Sequence, residues 1–324
     1  MKPKVLILVD WPKDVFMSLN DVADVGFGPF ESREELLEEM RDVEALVAGV
    51  TPVDRELLEN APKLKVVARF GVGYDNVDVE ECTKRGIYVT YTPNALSDTV
   101  ADLTMGLIIC LARKILQADR YVRTEWAKPG SLKFPLGVDL SGKVLGIIGL
   151  GRIGSSVARK AKAFNMRITY YDVIRRENLE RNLGVSYADF NSLLKTSDFV
   201  TLHVPLMDAT RGLIGERELK AMKETSYLVN TSRGPIIDED ALYKALIEGW
   251  IAGAALDVFT EEPLPLDSPL IKLNNVILTP HIGSAAAETR RRMAEMDVKN
   301  IRSVLMGKVP PNPIPEQKGL VFKR

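Results

Sequence analysis

One hexapeptide limits the architecture of this chain more than any other feature. Gly149-Leu150-Gly151-Arg152-Ile153-Gly154 follows directly on the apolar run Val144-Leu145-Gly146-Ile147-Ile148 and opens a helix over 155–164. Its glycines have separate tasks: Gly149 permits a tight turn, Gly151 lets backbone approach a pyrophosphate, and Gly154 lets helix and strand pack closely. The amides of Arg152 and Ile153 then sit at a helix N-terminus, where the dipole favours an anion. Asp172 ends the next strand. A carboxylate there accepts from both ribose hydroxyls and repels a 2′-phosphate, so NAD is favoured over NADP. Arg175 and Arg176 follow closely and are the side chains that could serve a phosphate instead.

The rest of the chain carries the same alternation of short apolar runs and amphipathic stretches, the pattern of parallel sheets covered by helices. Strands are expected at 5–9, 45–50, 66–70 and 88–91, then at 144–149, 168–172, 199–204, 227–230, 254–258 and 276–279. Ser32-Arg33-Glu34-Glu35 reads as a capping box in which Ser32 accepts from the Glu35 amide while Glu35 reaches back. A long helix is expected over 97–123, with Leu103, Leu107, Ile108, Leu111 and Ile115 forming an apolar stripe for core packing or a subunit interface. A loop with Pro129, Gly130 and Pro135 follows, and a charged helix over 288–305 ends before a proline-rich tail.

At 324 residues and 46% hydrophobic content the chain can fill the cores of about two domains. Its 43 Lys and Arg balance 44 Asp and Glu without a long block of one sign, which points away from nucleic acid and anionic membranes. No apolar stretch approaches the roughly 20 residues of a membrane span. Cys82 and Cys110 stand apart, as expected of inert thiols in a reducing cytoplasm rather than of a disulfide or metal site. Only His203 and His281 offer an imidazole for proton transfer near neutral pH.

Three segments end strands of the second series, where open α/β sheets bind their ligands. Asn230-Thr231-Ser232-Arg233-Gly234 supplies a cation, Asp257-Val258-Phe259-Thr260-Glu261-Glu262-Pro263 a carboxylate, and Thr279-Pro280-His281-Ile282-Gly283-Ser284 an imidazole. Together they make the set that reduces a 2-oxo acid. Arg233 can grip the carboxylate and polarise the oxo group; His281 can donate a proton to the carbonyl oxygen; and Glu262, if it touches the ring, favours the imidazolium.

With these segments in order, and with Gly71-Val72-Gly73-Tyr74-Asp75-Asn76-Val77-Asp78, Thr92-Pro93-Asn94, Val100-Ala101-Asp102 and His203-Val204-Pro205-Leu206, the chain resembles the D-isomer-specific 2-hydroxyacid dehydrogenases over nearly its whole length. The resemblance implies a doubly wound Rossmann nucleotide domain, residues 99–287, inserted into a smaller flavodoxin-like α/β substrate domain of residues 1–98 and 288–324. It implies Arg233, Glu262 and His281 as the catalytic trio, with Val72 and Gly73 in the substrate-carboxylate turn. It implies an NAD site of the hexapeptide, Asp172, Thr99, His203, Pro205, Thr210, Thr231, Ser232, Asp257, Gly283 and Ser284, in which His203 shapes the pocket and moves no proton. A homodimer joined through the nucleotide domain follows from the same likeness, and the apolar helix around Leu107 suits it.

Within that family, formate-oxidising members carry Gln where this chain has Glu262. Phosphoglycerate dehydrogenases commonly place a basic residue on the loop after the third strand, where this chain has Ala48-Gly49-Val50-Thr51-Pro52. Glyoxylate or hydroxypyruvate is therefore expected ahead of 3-phosphoglycerate, with D-lactate third. A reading of another class remains, an NAD-sensing binding protein like the family's co-repressors; the compact ends favour an enzyme.

Overall fold

The computed structural model describes residues 2–128 and 134–322; Pro129 and Gly130 of the expected loop lie outside the described residues. The chain divides into two units, Met1–Leu96 with Ala285–Arg324, and Ser97–Ser284.

In the first unit the apolar runs become short parallel strands: β1 (Lys4–Ile7), β2 (Asp24–Phe27), β3 (Val43–Ala48), β4 (Val66–Arg69) and β5 (Tyr88–Thr90), alternating with α1 (Lys13–Met17), α2 (Arg33–Glu39), α3 (Arg55–Glu59) and α4 (Val79–Lys84). Their order is β2-β1-β3-β4-β5, the flavodoxin-like winding. The central strands are buried along their length because helices cover both faces. β2 was not among the expected strands. It is an edge strand with no fully buried residue, so it lacks the continuous apolar run that marks its neighbours. Ser32 does cap α2 through the Glu35 amide, but the Glu35 carboxylate reaches the Glu31 amide, one residue beyond the expected box.

The second unit opens with α5 (Ser97–Arg113) and α6 (Ile115–Thr124) and continues with β6 (Val144–Ile148), α7 (Arg152–Ala163), β7 (Arg167–Tyr171), α8 (Glu177–Leu183), β8 (Ser186–Tyr187), α9 (Phe190–Thr196), β9 (Phe199–Leu202), α10 (Glu216–Ala221), β10 (Tyr227–Asn230), α11 (Glu239–Glu248), β11 (Gly253–Leu256) and β12 (Val276–Leu278). All strand pairs are parallel, in the order β12-β11-β10-β9-β6-β7-β8. The winding reverses between β6 and β9, which places the glycine turn after β6 at the switch point where such sheets bind nucleotides.

The expected single helix over 97–123 is two helices. Lys114 adopts a left-handed conformation (φ 54°) between them. The cause is tertiary: the Val138 amide donates to the Ala112 carbonyl at 2.8 Å, and Gly137 packs against the same carbonyl too closely for any side chain. Leu107, Ile108 and Leu111 are buried in the unit's core against Leu145 and Ile147, so this part of the stripe is core and offers no subunit interface. The exposed large apolar residues of α6 are Ile115, Leu116 and Val122, with Trp126 just after it.

Beyond the second unit, α12 (Ala287–Leu305) returns to the first and packs on α1, β3 and β4. The tail then runs antiparallel to β5, with the Ile314 amide donating to Val89 O at 3.0 Å. Fully buried Gln317 acts as a substitute edge: its Oε1 accepts from the Val89 amide at 2.7 Å and its Nε2 donates to Ile87 O at 3.0 Å. Among the described residues no helix is long and apolar enough to cross a membrane.

Candidate active site

The glycine turn is built by close backbone packing. Gly149 has φ +93°, and a Cβ there would lie 2.5 Å from the His203 carbonyl oxygen, so the turn after β6 rests on the loop that leaves β9. A Cβ on Gly154 would collide with the Gly149 carbonyl. Gly151 caps α7 without a side-chain hydrogen bond, which leaves the amides of Arg152 and Ile153 for an anion. Asp172, just past β7, accepts from the Leu150 amide at 3.1 Å and is thereby fixed beside the turn. The two arginines that could have served a phosphate are engaged. Arg175 forms a two-pronged pair with Glu180 (2.8 and 2.9 Å), holding that carboxyl down at about 2, and Arg176 Nε lies 3.7 Å from Asp172. A dinucleotide fits this cradle, and the carboxylate at its ribose end suits NAD.

Around it, Thr210 ties the loop after β9 by donating to the Pro205 carbonyl at 2.6 Å. Buried Thr231 pairs with Thr104 at 3.0 Å, and Thr99 stands in the first turn of α5. His203 hydrogen-bonds Thr201 through Nε2 at 3.0 Å, while its Nδ1 is buried with no partner. Burial lowers this imidazole to about 3, so the ring is neutral at physiological pH.

The trio comes together at the ends of β10, β11 and β12. Asn230, fully buried, shapes the first loop: its Nδ2 donates to the Arg233 carbonyl at 2.7 Å and its Oδ1 accepts from the Ser232 amide at 3.0 Å and the Ser232 hydroxyl at 2.9 Å. The guanidinium folds back to the Ser232 carbonyl at 2.7 Å. Gly234 packs so tightly on Phe259 and Thr260 that a methyl group would strike that backbone, and this contact sets the Arg233 loop against the loop of Glu262. Glu262 accepts from the Phe259 amide at 3.0 Å and meets His281 Nδ1 at 2.6 Å. Burial raises the Glu262 carboxyl, but the hydrogen bonds from His281 and Phe259 and the charges of His281 and Arg233 outweigh it. The group ends below the ordinary carboxylate value.

His281 itself has φ 52°, a left-handed conformation that a non-glycine residue adopts at a cost of about 1–3 kcal/mol unless its surroundings hold it. Asp257 does the holding. Its carboxylate is buried and accepts from the Thr279 hydroxyl at 2.6 Å and the amides of Ile282 at 2.9 Å and Gly283 at 2.8 Å. Burial is the largest influence on this carboxyl and leaves it raised. The sequence marks Asp257 as a cofactor contact. The structure adds a task on the protein side, together with Asn230 and Thr279, to which the sequence assigns no role. The common signal of these three residues is a hydrogen-bonding side chain at the carboxyl end of an apolar strand.

In the first unit, the turn Gly71-Val72-Gly73 follows β4. Among the described residues neither the Val72 nor the Gly73 amide donates to a protein acceptor. Two free, adjacent amides on a partly exposed turn make an anion-accepting surface.

Comparison with known proteins decides the family. The model of the D-isomer specific 2-hydroxyacid dehydrogenase NAD-binding domain matches residues 105–283. The chain belongs to the D-isomer specific 2-hydroxyacid dehydrogenases. This dehydrogenase is 50% identical to a glyoxylate reductase of Korarchaeum cryptofilum over 317 residues, 96% of each chain. It is 51% identical over 320 residues to a glyoxylate reductase of Thermococcus litoralis, again 96% of each. Among solved structures it resembles an NADPH-dependent glyoxylate/hydroxypyruvate reductase of Sinorhizobium meliloti, in complex with NADP and malonate, at 33% identity and TM-score 0.88 over 100% of this chain and 99% of the other. The dehydrogenase is a nicotinamide-dependent oxidoreductase, and NAD is the cofactor its family model and its Asp172 support.

Proposed function

We propose that this dehydrogenase reduces glyoxylate, with hydroxypyruvate as a second substrate, to the corresponding 2-hydroxy acid with NADH. The observation that carries this reading is the Arg233, Glu262 and His281 cluster in a chain half identical to named glyoxylate reductases over almost its full length. The loop 48–52 after β3 has no basic residue, which supports an unphosphorylated acid over 3-phosphoglycerate.

Residues 97–284 act as the NAD-binding domain, inserted into the substrate domain formed by the rest. When bound, the nicotinamide supplies the hydride. The amides of Val72 and Gly73 hold the substrate carboxylate. Arg233 adds two charge-assisted donors to the carboxylate and the oxo group. His281 carries a proton on Nε2 and transfers it to the oxo oxygen as that atom becomes an alkoxide. Glu262 keeps the ring oriented through Nδ1, with Nε2 toward the oxo oxygen. Thr99, His203, Pro205, Thr210, Thr231, Ser232, Asp257, Gly283 and Ser284 line the cofactor's pocket. His203, neutral by burial, shapes that pocket and leaves the proton to His281.

The chain works in the cytoplasm as a homodimer joined through residues 97–284. The support for the dimer is the row Ile115, Leu116, Val122 and Trp126, each 43% exposed or more. Light scattering should give twice the 36.0 kDa chain mass, and a monomer at micromolar concentration would refute it.

The deciding assay follows cofactor oxidation with glyoxylate, hydroxypyruvate, pyruvate and phosphohydroxypyruvate, each with NADH and NADPH. Glyoxylate and hydroxypyruvate with NADH should give the highest kcat/KM. Turnover of none of the four overturns the proposal.

A further inference from the structure

We propose that Arg69 is a positioning residue for substrate binding, which holds the Val72 and Gly73 amides at the substrate carboxylate and lends that turn positive charge. The inference rests on the carboxylate-binding reading of the turn. Arg69 ends β4 and is 7% exposed. Its Nη1 donates to the Phe70 carbonyl at 2.5 Å, and its Nε donates to Asn76 Oδ1 at 3.1 Å. The guanidinium lies directly under the turn: a Cβ on Gly71 would be 2.6 Å from Nη1. Asn76 in turn donates to the carbonyls of Gly49 at 3.2 Å and Thr51 at 2.8 Å. One planar fork thus fixes both ends of the segment 70–76 and joins it to the loop after β3.

Burying a guanidinium is costly, and an apolar side chain would pack there at lower cost. What the arginine adds is a rigid donor geometry and a cation beneath two free amides, both of which favour an anion above them. Opposite it, α12 packs on β4 and brings Asp297, fully buried, with neither carboxylate oxygen hydrogen-bonded; burial pushes this carboxyl well above the ordinary range, and the Arg69 charge only partly opposes that. Asp297 takes none of the fork's donors, and the Nε and Nη1 bonds to Asn76 and Phe70 hold the guanidinium against the turn.

The test compares wild type with Arg69→Met, Arg69→Lys and Asn76→Ala in the full chain. It measures kcat and KM for glyoxylate, the Kd of NADH, the melting temperature and, by calorimetry on the NADH-bound enzyme, the Kd of oxamate, a non-reducible analogue carrying the carboxylate. Arg69→Met should raise KM and the oxamate Kd at least tenfold while kcat stays within about threefold and NADH affinity is unchanged. Arg69→Lys keeps the charge and loses the fork, so it should recover part of the loss. Asn76→Ala should show a smaller rise of the same kind and remains decisive if Arg69→Met does not fold. Unchanged KM and oxamate affinity in folded variants overturn the proposal, as does a parallel fall in kcat, NADH affinity and melting temperature. A wild type that binds oxamate and ignores glyoxylate would refute the proposed substrate alone, and the oxamate comparison would still judge Arg69.

Discussion

Nδ1 of His281 lies 2.6 Å from Oε2 of Glu262, which leaves Nε2 as the ring nitrogen without a partner among the described residues. An imidazole held this way can present only one proton to a substrate. His281→Asn should therefore cut kcat for reduction by about 100-fold or more. Glu262→Gln replaces the carboxylate at Nδ1 by an amide that can donate as well as accept, so the ring is no longer held in one orientation and tautomer. The kcat for reduction should fall at least about tenfold, and an unchanged kcat would separate Glu262 from the proton transfer.

Asp257→Asn tests how the left-handed His281 is held. The asparagine keeps one acceptor for Thr279 and Ile282 but turns a donor toward the Gly283 amide. Losing a charged acceptor in a buried site costs about 1–3 kcal/mol. A lower melting temperature should accompany a fall in kcat. Full activity with a lowered melting temperature would mean that the loop does not depend on this carboxylate for its aim.

Replacing Asp172 by Ser takes away the carboxylate beside the glycine turn. The ratio of kcat/KM for NADH over NADPH should fall, because the group that repels a 2′-phosphate is gone and Arg176 is released from its partner. An unchanged ratio would assign the discrimination to another group.

His203 gives a stability prediction. Burial lowers its folded pKa to about 3, whereas the unfolded chain titrates near the ordinary 6.5. The unfolded state therefore binds a proton that the folded state refuses as pH falls from about 6.5 toward about 3, and stability is lost over that window. Wild type should lose melting temperature more steeply there than His203→Gln. Equal slopes would show that the ring takes up its proton without unfolding.

The fold was legible wherever a strand is buried on both faces, because such strands are unbroken apolar runs. β4 and β6 are of this kind. β2 and β8 were not, since edge strands need no such run: Asp24-Val25-Gly26-Phe27 is half-exposed and Ser186-Tyr187 is exposed. The break at Lys114 was invisible for a different reason. Lys, Ile and Leu suit a helix interior, and what ends α5 is a carbonyl claimed by Val138, far along the chain. Within the site, Arg233, Glu262 and His281 stood out because their chemistry is rare at strand ends. Asn230 and Thr279 stood in the same segments, yet their tasks follow from the loops they hold, which only folded geometry displays. Arg69 lies inside the expected strand 66–70 with nothing in the sequence to set it apart, and only the packing of α12 on β4 brings Asp297 to it.

The Gln317 side chain that closes the β5 edge has a consequence for how the molecule is made. Its bonds to Ile87 and Val89 span 230 and 228 residues, so the first unit cannot finish its sheet until residue 317 has been made. The inserted unit begins later and is whole by Ser284. On a ribosome the guest is available to fold before its host, and the open β5 edge waits for residues 312–317 to emerge. Removing residues from 312 onward would therefore leave a pairing-competent strand exposed from birth, and aggregation, rather than a loss of catalytic groups, is the defect such a truncation should show first.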